Sequence, residues 1–137
     1  MNALKVMEFA KELHHVLYLI RRIKVFYLCI GEDWDGIIST KSGLIKSAGE
    51  LGMATVQRFF ILDSLSVQSA VRSAAALQPD AIEILPGIMP RIVRTLCREV
   101  QVPLIAGGLI SSKEDVIQAL SAGALGVSTT NPAVWSL

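Results

Sequence analysis

One structural unit recurs along this 137-residue chain from Asp35 onward, and it limits the fold more than any other feature. Each copy has a short aliphatic run, a polar or glycine-containing turn, and an amphipathic stretch of helical period. The aliphatic runs are DGIIST (35–40), ATVQRFFIL (54–62), DAIEIL (80–85), VPLIAGG (102–108) and ALGVSTT (124–130). They begin 19 to 26 residues apart, which is too far for hairpins and typical of parallel strands joined by crossover helices.

The repeat predicts an α/β fold of the TIM (β/α)₈-barrel type that is incomplete on its N-terminal side. A closed barrel needs about 200 residues or more, and five clear βα units follow residue 35. Residues 1–137 are expected to form one domain, because the chain is too short for two ordinary cores. Before Asp35, NALKVMEFAKELHH predicts an amphipathic helix and VLYLI a strand, whereas RRIKVFYLCIGED fits either a strand or a helix.

The helical stretches carry recognisable start and stop signals. The first is expected to close at Gly52, and the second at Pro79, which cannot continue a helix. Pro90 suits the first turn of the third helix. Ser111 stands three residues before Glu114, the spacing of a capping box, and Gly123 is the expected stop of that helix.

Composition and charge exclude several classes of protein. Hydrophobic residues make up 52% of the chain and charged residues 18%, which disfavours disorder and favours a well-packed soluble domain. Arg21, Arg22 and Lys24 interrupt the most apolar N-terminal stretch, so no membrane span is predicted, and no signal peptide is recognisable. With a net charge of +1, any site for a polyanion must be local.

Metal, redox and nucleophile chemistry find little support in the sequence. Cys29 and Cys97 are far apart, lack CxxC spacing and lie in apolar contexts, which predicts buried thiols in a cytosolic protein. His14 and His15 are adjacent without partners that would complete a metal site. No G-x-S-x-G elbow or Walker loop is present, so we predict no catalytic residues, metal or cofactor.

Two polar loops follow successive strands and predict a phosphate site. Gly107 and Gly108 end one strand, and Ser128 and Thr129 end the next. In (β/α)₈ barrels, backbone N–H groups of the last βα loops and a helix N-terminus commonly bind phosphate, and a side chain at either glycine would keep the phosphate off the backbone. The alternative is a tight strand-to-helix turn with no ligand.

Three charged residues lie in or just after other strands. Lys41 is suited to a phosphate or carboxylate, although a loop lysine is often only solvated. Arg58 is expected either to pair with a carboxylate or to contact a ligand, because a charge in a barrel strand is costly unless it is paired or lines a site. Glu83 is expected to point into the barrel, as an acceptor for ligand hydroxyls or as the partner of Arg58 or Lys41.

Arg91, Arg94 and Arg98 follow one another at i, i+3 and i+7 and should share one face of a helix. A face of this kind is either solvated or contacts a nucleic-acid backbone. Both interpretations stay open from the sequence.

Five segments in fixed order resemble the glycerol-3-phosphate responsive antiterminator family, also called glycerol uptake operon antiterminator regulatory proteins. They are DGIISTKSGLIKSAGELG, QRFFILDSLS, PDAIEILPGIMP, PLIAGGLISSKEDV and GALGVSTTNPAVW. The resemblance implies a (β/α)₈ barrel that binds glycerol 3-phosphate and, when bound, acts on a leader mRNA so that transcription passes a terminator upstream of glycerol-use genes. A cytoplasmic location fits this role.

The same resemblance assigns residues to the site. By motif, Gly107, Gly108, Ser128 and Thr129 would bind the phosphate, and Lys41, Arg58 and Glu83 lie in matching segments at the same mouth. Family members carry an acidic segment similar to HIDLIEG before the DGIIST strand, which this sequence lacks. We therefore expect a longer full-length protein whose additional residues supply part of the pocket.

Three hypotheses about function remain after the sequence analysis. The leading one is an RNA-binding regulator in which the ligand orders the mouth loops or assembles a homo-oligomer. The second is a phosphate-binding barrel enzyme, such as an aldolase, isomerase or phosphodiesterase, with Glu83 or Lys41 as general base. The third is a degenerate barrel that binds a metabolite without regulating RNA.

Overall fold

The computed structural model describes residues 25–29 and 34–134. The expected helix over residues 2–15 and the strand VLYLI lie outside these residues. The described strands are β1 (Val25–Cys29), β2 (Trp34–Ser39), β3 (Ala54–Phe60), β4 (Ala81–Leu85), β5 (Leu104–Gly107) and β6 (Gly126–Ser128). The described helices are α1 (Ser42–Glu50), α2 (Ser64–Leu77), α3 (Pro90–Glu99), α4 (Lys113–Ser121) and a 3₁₀ helix, Pro132–Val134.

The strands form one sheet in the order β1-β2-β3-β4-β5-β6. Strands β2 to β6 run parallel to one another and alternate with helices, which confirms the α/β fold and the five predicted units. The described strands make an open sheet, so the barrel is incomplete within residues 25–29 and 34–134.

Strand β1 departs from this pattern because it runs antiparallel to β2, with Val25 opposite Ser39. It lies in the stretch for which strand and helix were both open, and it is a strand. Only residues 30–33 separate it from β2. A parallel connection needs a crossover of about a dozen residues or more, so a link this short favours antiparallel pairing.

The helix boundaries follow the sequence signals closely, with one exception. Helix α2 ends just before Gln78, which is left-handed at φ 47°, and Pro90 is the first residue of α3. The capping box of α4 is shifted by one residue from the predicted Ser111 and Glu114. Ser112 is the N-cap residue, and its Oγ accepts a hydrogen bond from Asp115 N. Its own backbone N–H donates to the Asp115 carboxylate, the role that the sequence analysis had given to Glu114.

The core lies between the sheet and the helices. Its most buried apolar side chains are Ala70 and Ala74 of α2, Ile82 and Ile84 of β4, Val93 and Leu96 of α3, Leu104 and Ala106 of β5, and Ala119 of α4. A smaller cluster joins Ile37 of β2 to Ile45 and Ala48 of α1. The burial of these aliphatic residues fixes the helices against one face of the sheet.

Alternation along β3 separates the two faces of the sheet. The Gln57 amide nitrogen donates hydrogen bonds to Ser42 Oγ of α1 (3.2 Å) and Ser73 Oγ of α2 (2.8 Å), so Gln57 faces the helices. Arg58 is the next residue and therefore faces the opposite side. Glu83 is its register partner on β4 and shares that side, which is the interior of the partial barrel.

Candidate ligand site at the carboxyl edge of the sheet

The carboxyl ends of β2 to β6 meet at one edge of the sheet, which is where parallel α/β folds bind their ligands. Gly107 closes β5 and Ser128 closes β6, and these two residues are register partners. Gly108 and Thr129 follow them directly. The structure therefore brings together the two loops that the sequence predicts to bind phosphate.

Arg58 and Glu83 form a buried ion pair on the interior face. Arg58 Nε donates to Glu83 Oε2 at 2.5 Å, and the side chains are only 15% and 3% exposed. Of the partners expected for Glu83, the structure selects Arg58. A buried pair of this kind is strongly destabilising to break, because removal of Arg58 leaves the Glu83 carboxylate buried without its ion-pair partner.

Gly107 makes room for that ion pair. A Cβ at this position would lie 2.6 Å from Glu83 Oε1, closer than a real side chain allows. The residue is therefore required by the packing of Glu83, whether or not a ligand approaches the backbone. The sequence analysis interpreted this glycine as part of a phosphate site or of a tight turn, and it did not predict the contact with Glu83.

The two residues after Gly107 both have an unusual backbone conformation. Gly108 has φ 76° and Leu109 has φ 60°, both in the left-handed region. Glycine adopts this region freely, whereas leucine does so rarely and at a cost in strain. Leu109 is also 69% exposed at the mouth. Its conformation was not predictable, because leucine is not a residue type that indicates a left-handed backbone.

Hydrogen bonds join neighbouring loops along this edge. Ile61 N donates to Leu85 O at 2.8 Å, which ties the end of β3 to the end of β4. Gly87 N donates to Gly108 O at 3.0 Å, which ties the next two loops. A Cβ on Gly87 would lie 2.8 Å from Gly107 N, so this glycine permits the close approach. The sequence indicated only a turn at Gly87.

The loop after β6 is tied to the loop after β5 by side chains. Thr129 Oγ1 donates to Ile110 O at 2.7 Å and accepts a bond from Asn131 N at 3.1 Å. The Asn131 amide nitrogen donates to Ser111 O at 3.3 Å. The sequence analysis predicted Thr129 as a phosphate contact. It predicted neither of the two bonds between the loops, because each joins residues about twenty positions apart in the chain.

Asp115 occupies the anion position at the start of α4. Its carboxylate accepts hydrogen bonds from the backbone N–H groups of Ser111 and Ser112, each at 3.0 Å. These hydrogen bonds stabilise the ionised carboxylate and lower the pKa of Asp115 below its ordinary value. The bond from the Ser111 N–H has the largest effect, and the bonds from Ser112 add to it. Two amides near the helix N-terminus that could have contacted a phosphate therefore already have an anionic partner.

Lys41 lies just beyond β2, at the same edge of the sheet. It is the exposed N-cap residue of α1, and its backbone N–H donates to Ser39 Oγ at 3.1 Å. Within residues 34–134 its ammonium group makes no ion pair. Gln57 holds the following residue, Ser42, against β3 and so fixes the start of α1 beside Lys41.

The three arginines of α3 lie elsewhere. Arg91, Arg94 and Arg98 are all exposed on this helix, which packs against the other face of the sheet. They share one helix face as predicted. Cys97 on the same helix is half-buried, and desolvation raises its pKa above the usual range for a thiol.

Neither metal binding nor membrane insertion is indicated in the part of the chain that the structure describes. Residues 25–29 and 34–134 contain no group of three His, Cys, Asp or Glu side chains arranged to hold a metal ion. None of the helices in these ranges is long and apolar enough to cross a membrane.

Comparison with known proteins identifies related chains. A family model described as glycerol-3-phosphate responsive antiterminator matches residues 20–135. An uncharacterized protein of Escherichia coli K12, YgcP, is 40% identical over 117 residues, which are 85% of this chain and 61% of that one.

Solved structures give the same result. A glycerol uptake operon antiterminator regulatory protein from Listeria monocytogenes is 39% identical with a TM-score of 0.72, and the match covers 80% of this chain and 57% of that one. An antiterminator-related protein from Thermotoga maritima is 30% identical with a TM-score of 0.67, covering 76% and 59%. The chain thus spans about three fifths of the length of these relatives. Enzymes below 25% identity also match, and their likeness shows only the barrel-type fold.

Proposed function

The chain belongs to the glycerol-3-phosphate responsive antiterminator family, and we propose that it binds glycerol 3-phosphate and, when bound, acts on a leader mRNA to let transcription pass a terminator. The observation that carries the proposal is the family match over residues 20–135. The names of the two antiterminator structures, from Listeria and Thermotoga, point to the same operon type. A cytoplasmic location follows from action on nascent mRNA.

The phosphate group of the ligand is assigned to the paired ends of β5 and β6. Gly107 and Ser128 lie side by side there. Gly108 follows directly, and its left-handed conformation turns the backbone out of strand β5. Turns of this type can direct N–H groups toward an anion, and the Ser128 hydroxyl adds a donor. Because Asp115 already accepts from Ser111 and Ser112, the phosphate is expected to lie nearer Gly108 than the start of α4.

The hydroxyl groups of the ligand are assigned to the buried ion pair. Arg58 and Glu83 lie two residues below the strand ends on the interior face, roughly 6.6 Å along the strands. Glu83 is an acceptor for hydroxyl protons, and the charge-assisted hydrogen bond from Arg58 holds it in orientation. Lys41, exposed and unpaired within residues 34–134, is placed to add positive charge beside the phosphate.

RNA contact is assigned to α3. Its three exposed arginines, Arg91, Arg94 and Arg98, span about 10 Å of helix and supply a local cationic strip on a chain of net charge +1. The ligand would change RNA affinity by ordering the mouth loops or by assembling a homo-oligomer. In this proposal the protein is a regulator and not an enzyme, and Glu83 is committed to Arg58 instead of serving as a general base.

Calorimetry of the intact chain tests ligand binding. We expect glycerol 3-phosphate to bind, and glycerol or inorganic phosphate alone to bind much more weakly, because each engages only half of the proposed site. Equal affinity for all three ligands, or no affinity for glycerol 3-phosphate, would refute the assignment.

A further inference from the structure

Two side chains after β6 connect the predicted phosphate loops. Thr129 Oγ1 donates to Ile110 O at 2.7 Å, and the Asn131 amide nitrogen donates to Ser111 O at 3.3 Å. Both acceptors lie in the loop between β5 and α4, 19 and 20 residues earlier in the chain. These bonds therefore hold one loop against another and do not merely shape a local turn.

The hydrogen-bonding capacity of Thr129 decides its role. A hydroxyl has a single proton to donate, and in Thr129 that proton goes to Ile110 O. Its oxygen also accepts the bond from Asn131 N at 3.1 Å. Phosphate oxygens in the ionised ligand are acceptors, so Thr129 cannot donate to a phosphate while it makes the bond to Ile110.

Asn131 is held in place at both ends of its amide. Its Oδ1 accepts from Ala133 N at 3.0 Å, in the short 3₁₀ helix, while its nitrogen donates to Ser111 O. Ser111 is in turn held by Asp115 at the start of α4. The amide thus bridges the end of β6 and the segment that follows the left-handed residues Gly108 and Leu109.

We propose that Thr129 and Asn131 are positioning residues. Their bonds to Ile110 and Ser111 form a clamp that holds the β5–α4 loop against the end of β6, so that Gly108 and Ser128 contact the same phosphate. This inference rests on the proposed function, because it presupposes that the mouth binds a phosphorylated ligand. It replaces the predicted direct contact of Thr129 with an indirect one and adds Asn131 to the site. Ser128, whose hydroxyl has no side-chain tie within residues 34–134, remains the direct hydroxyl donor.

A set of three variants tests the clamp in the intact chain. Thr129→Val keeps the shape of the side chain and removes both bonds, Thr129→Ser keeps the hydroxyl, and Thr130→Val changes an exposed neighbour. We expect Thr129→Val to weaken glycerol 3-phosphate binding about three- to tenfold, the range for one lost hydrogen bond, because of the two bonds removed only the one to Ile110 O joins the two loops. Thr129→Ser should restore the affinity, and Thr130→Val should match the wild type.

Hydrogen exchange distinguishes positioning from direct contact. In the ligand-free protein, Thr129→Val and Asn131→Ala should speed exchange of the backbone amides of residues 109–112, because the loop is released. Ser128→Ala should weaken binding without changing that exchange. Weaker binding by Thr129→Val with unchanged exchange would mean direct contact and would overturn the inference.

The remaining outcomes distinguish failure of the proposed clamp from failure of the proposed function. If the wild type binds and Thr129→Val binds as well as Thr130→Val, the clamp is wrong and the function stands. If the wild type binds no glycerol 3-phosphate, both fail. If Thr129→Val does not fold, Asn131→Ala supplies the same comparison, because it removes only the longer of the two ties.

Discussion

At the scale of single residues, the glycines of PLIAGG have two different structural reasons. Gly107 leaves space for the Glu83 carboxylate, and Gly108 adopts a left-handed backbone. The sequence analysis explained both glycines alike, either by close approach of a phosphate to the backbone or by a tight strand-to-helix turn. It could not separate the two reasons, since the neighbour of Gly107 comes from another strand.

Gly108→Ala should lower both stability and ligand affinity. An L-residue in the left-handed region costs about 1–2 kcal/mol, and the new Cβ would lie 3.1 Å from Leu85 Cδ2. Urea unfolding and calorimetry with glycerol 3-phosphate measure the two effects. Gly43→Ala is the matched control: it lies in α1 with nothing within 4 Å, so its stability should be unchanged or slightly raised. Equal stability of the Gly108 and Gly43 variants would contradict the backbone argument.

Loss of one partner of the Arg58 and Glu83 pair should destabilise the protein strongly. Arg58→Met leaves the Glu83 carboxylate, whose side chain is only 3% exposed, without its ion-pair partner, for which about 3–5 kcal/mol is typical. The double variant Arg58→Met/Glu83→Leu should recover much of that loss, because neither charge of the pair is then left without the other. Denaturant titrations of the single and double variants measure this. A double variant as unstable as the sum of both singles would show that the two side chains act independently.

At the scale of elements, the five βα units were predictable because each strand is a continuous aliphatic run followed by turn residues. The antiparallel direction of β1 was not predictable, because the residues VFYLC suit a strand that runs in either direction. The direction is explained by the short link to β2. The capping box of α4 was placed one residue early, since Ser111 and Ser112 each stand three residues before an acid. The clamp by Thr129 and Asn131 depends on loops brought together by the sheet, and no local pattern reveals it.

The exposed strip on α3 should contribute to RNA affinity and not to ligand affinity. Each arginine that contacts a phosphate should contribute about 0.7–0.9 to the slope of log affinity against log salt. Alanine at Arg91, Arg94 and Arg98 together should therefore flatten that slope by about 2–3 and leave calorimetric binding of glycerol 3-phosphate unchanged. Arg72→Ala, which removes an exposed arginine from α2, is the matched control. Parallel loss of RNA and ligand binding would count against a separate RNA surface.

At the scale of the whole molecule, the chain carries the parallel strands and loops of an antiterminator barrel and spans about three fifths of the length of its relatives. The motifs from Asp35 to Trp135 were sufficient to predict the family, because five segments resemble those of the family and follow one another in the same order. The sequence before β2 predicts no pocket residues, because it lacks the acidic segment that the family resemblance leads us to expect there.

The most direct test of ligand-controlled RNA binding is the affinity of the intact chain for leader RNA of a glycerol-use gene. It should be measured across a salt series with and without glycerol 3-phosphate. The proposal predicts tighter binding with the ligand than without it, and a steep salt dependence of the ligand-bound complex. RNA affinity that does not change with glycerol 3-phosphate, or its absence under both conditions, would contradict the proposal.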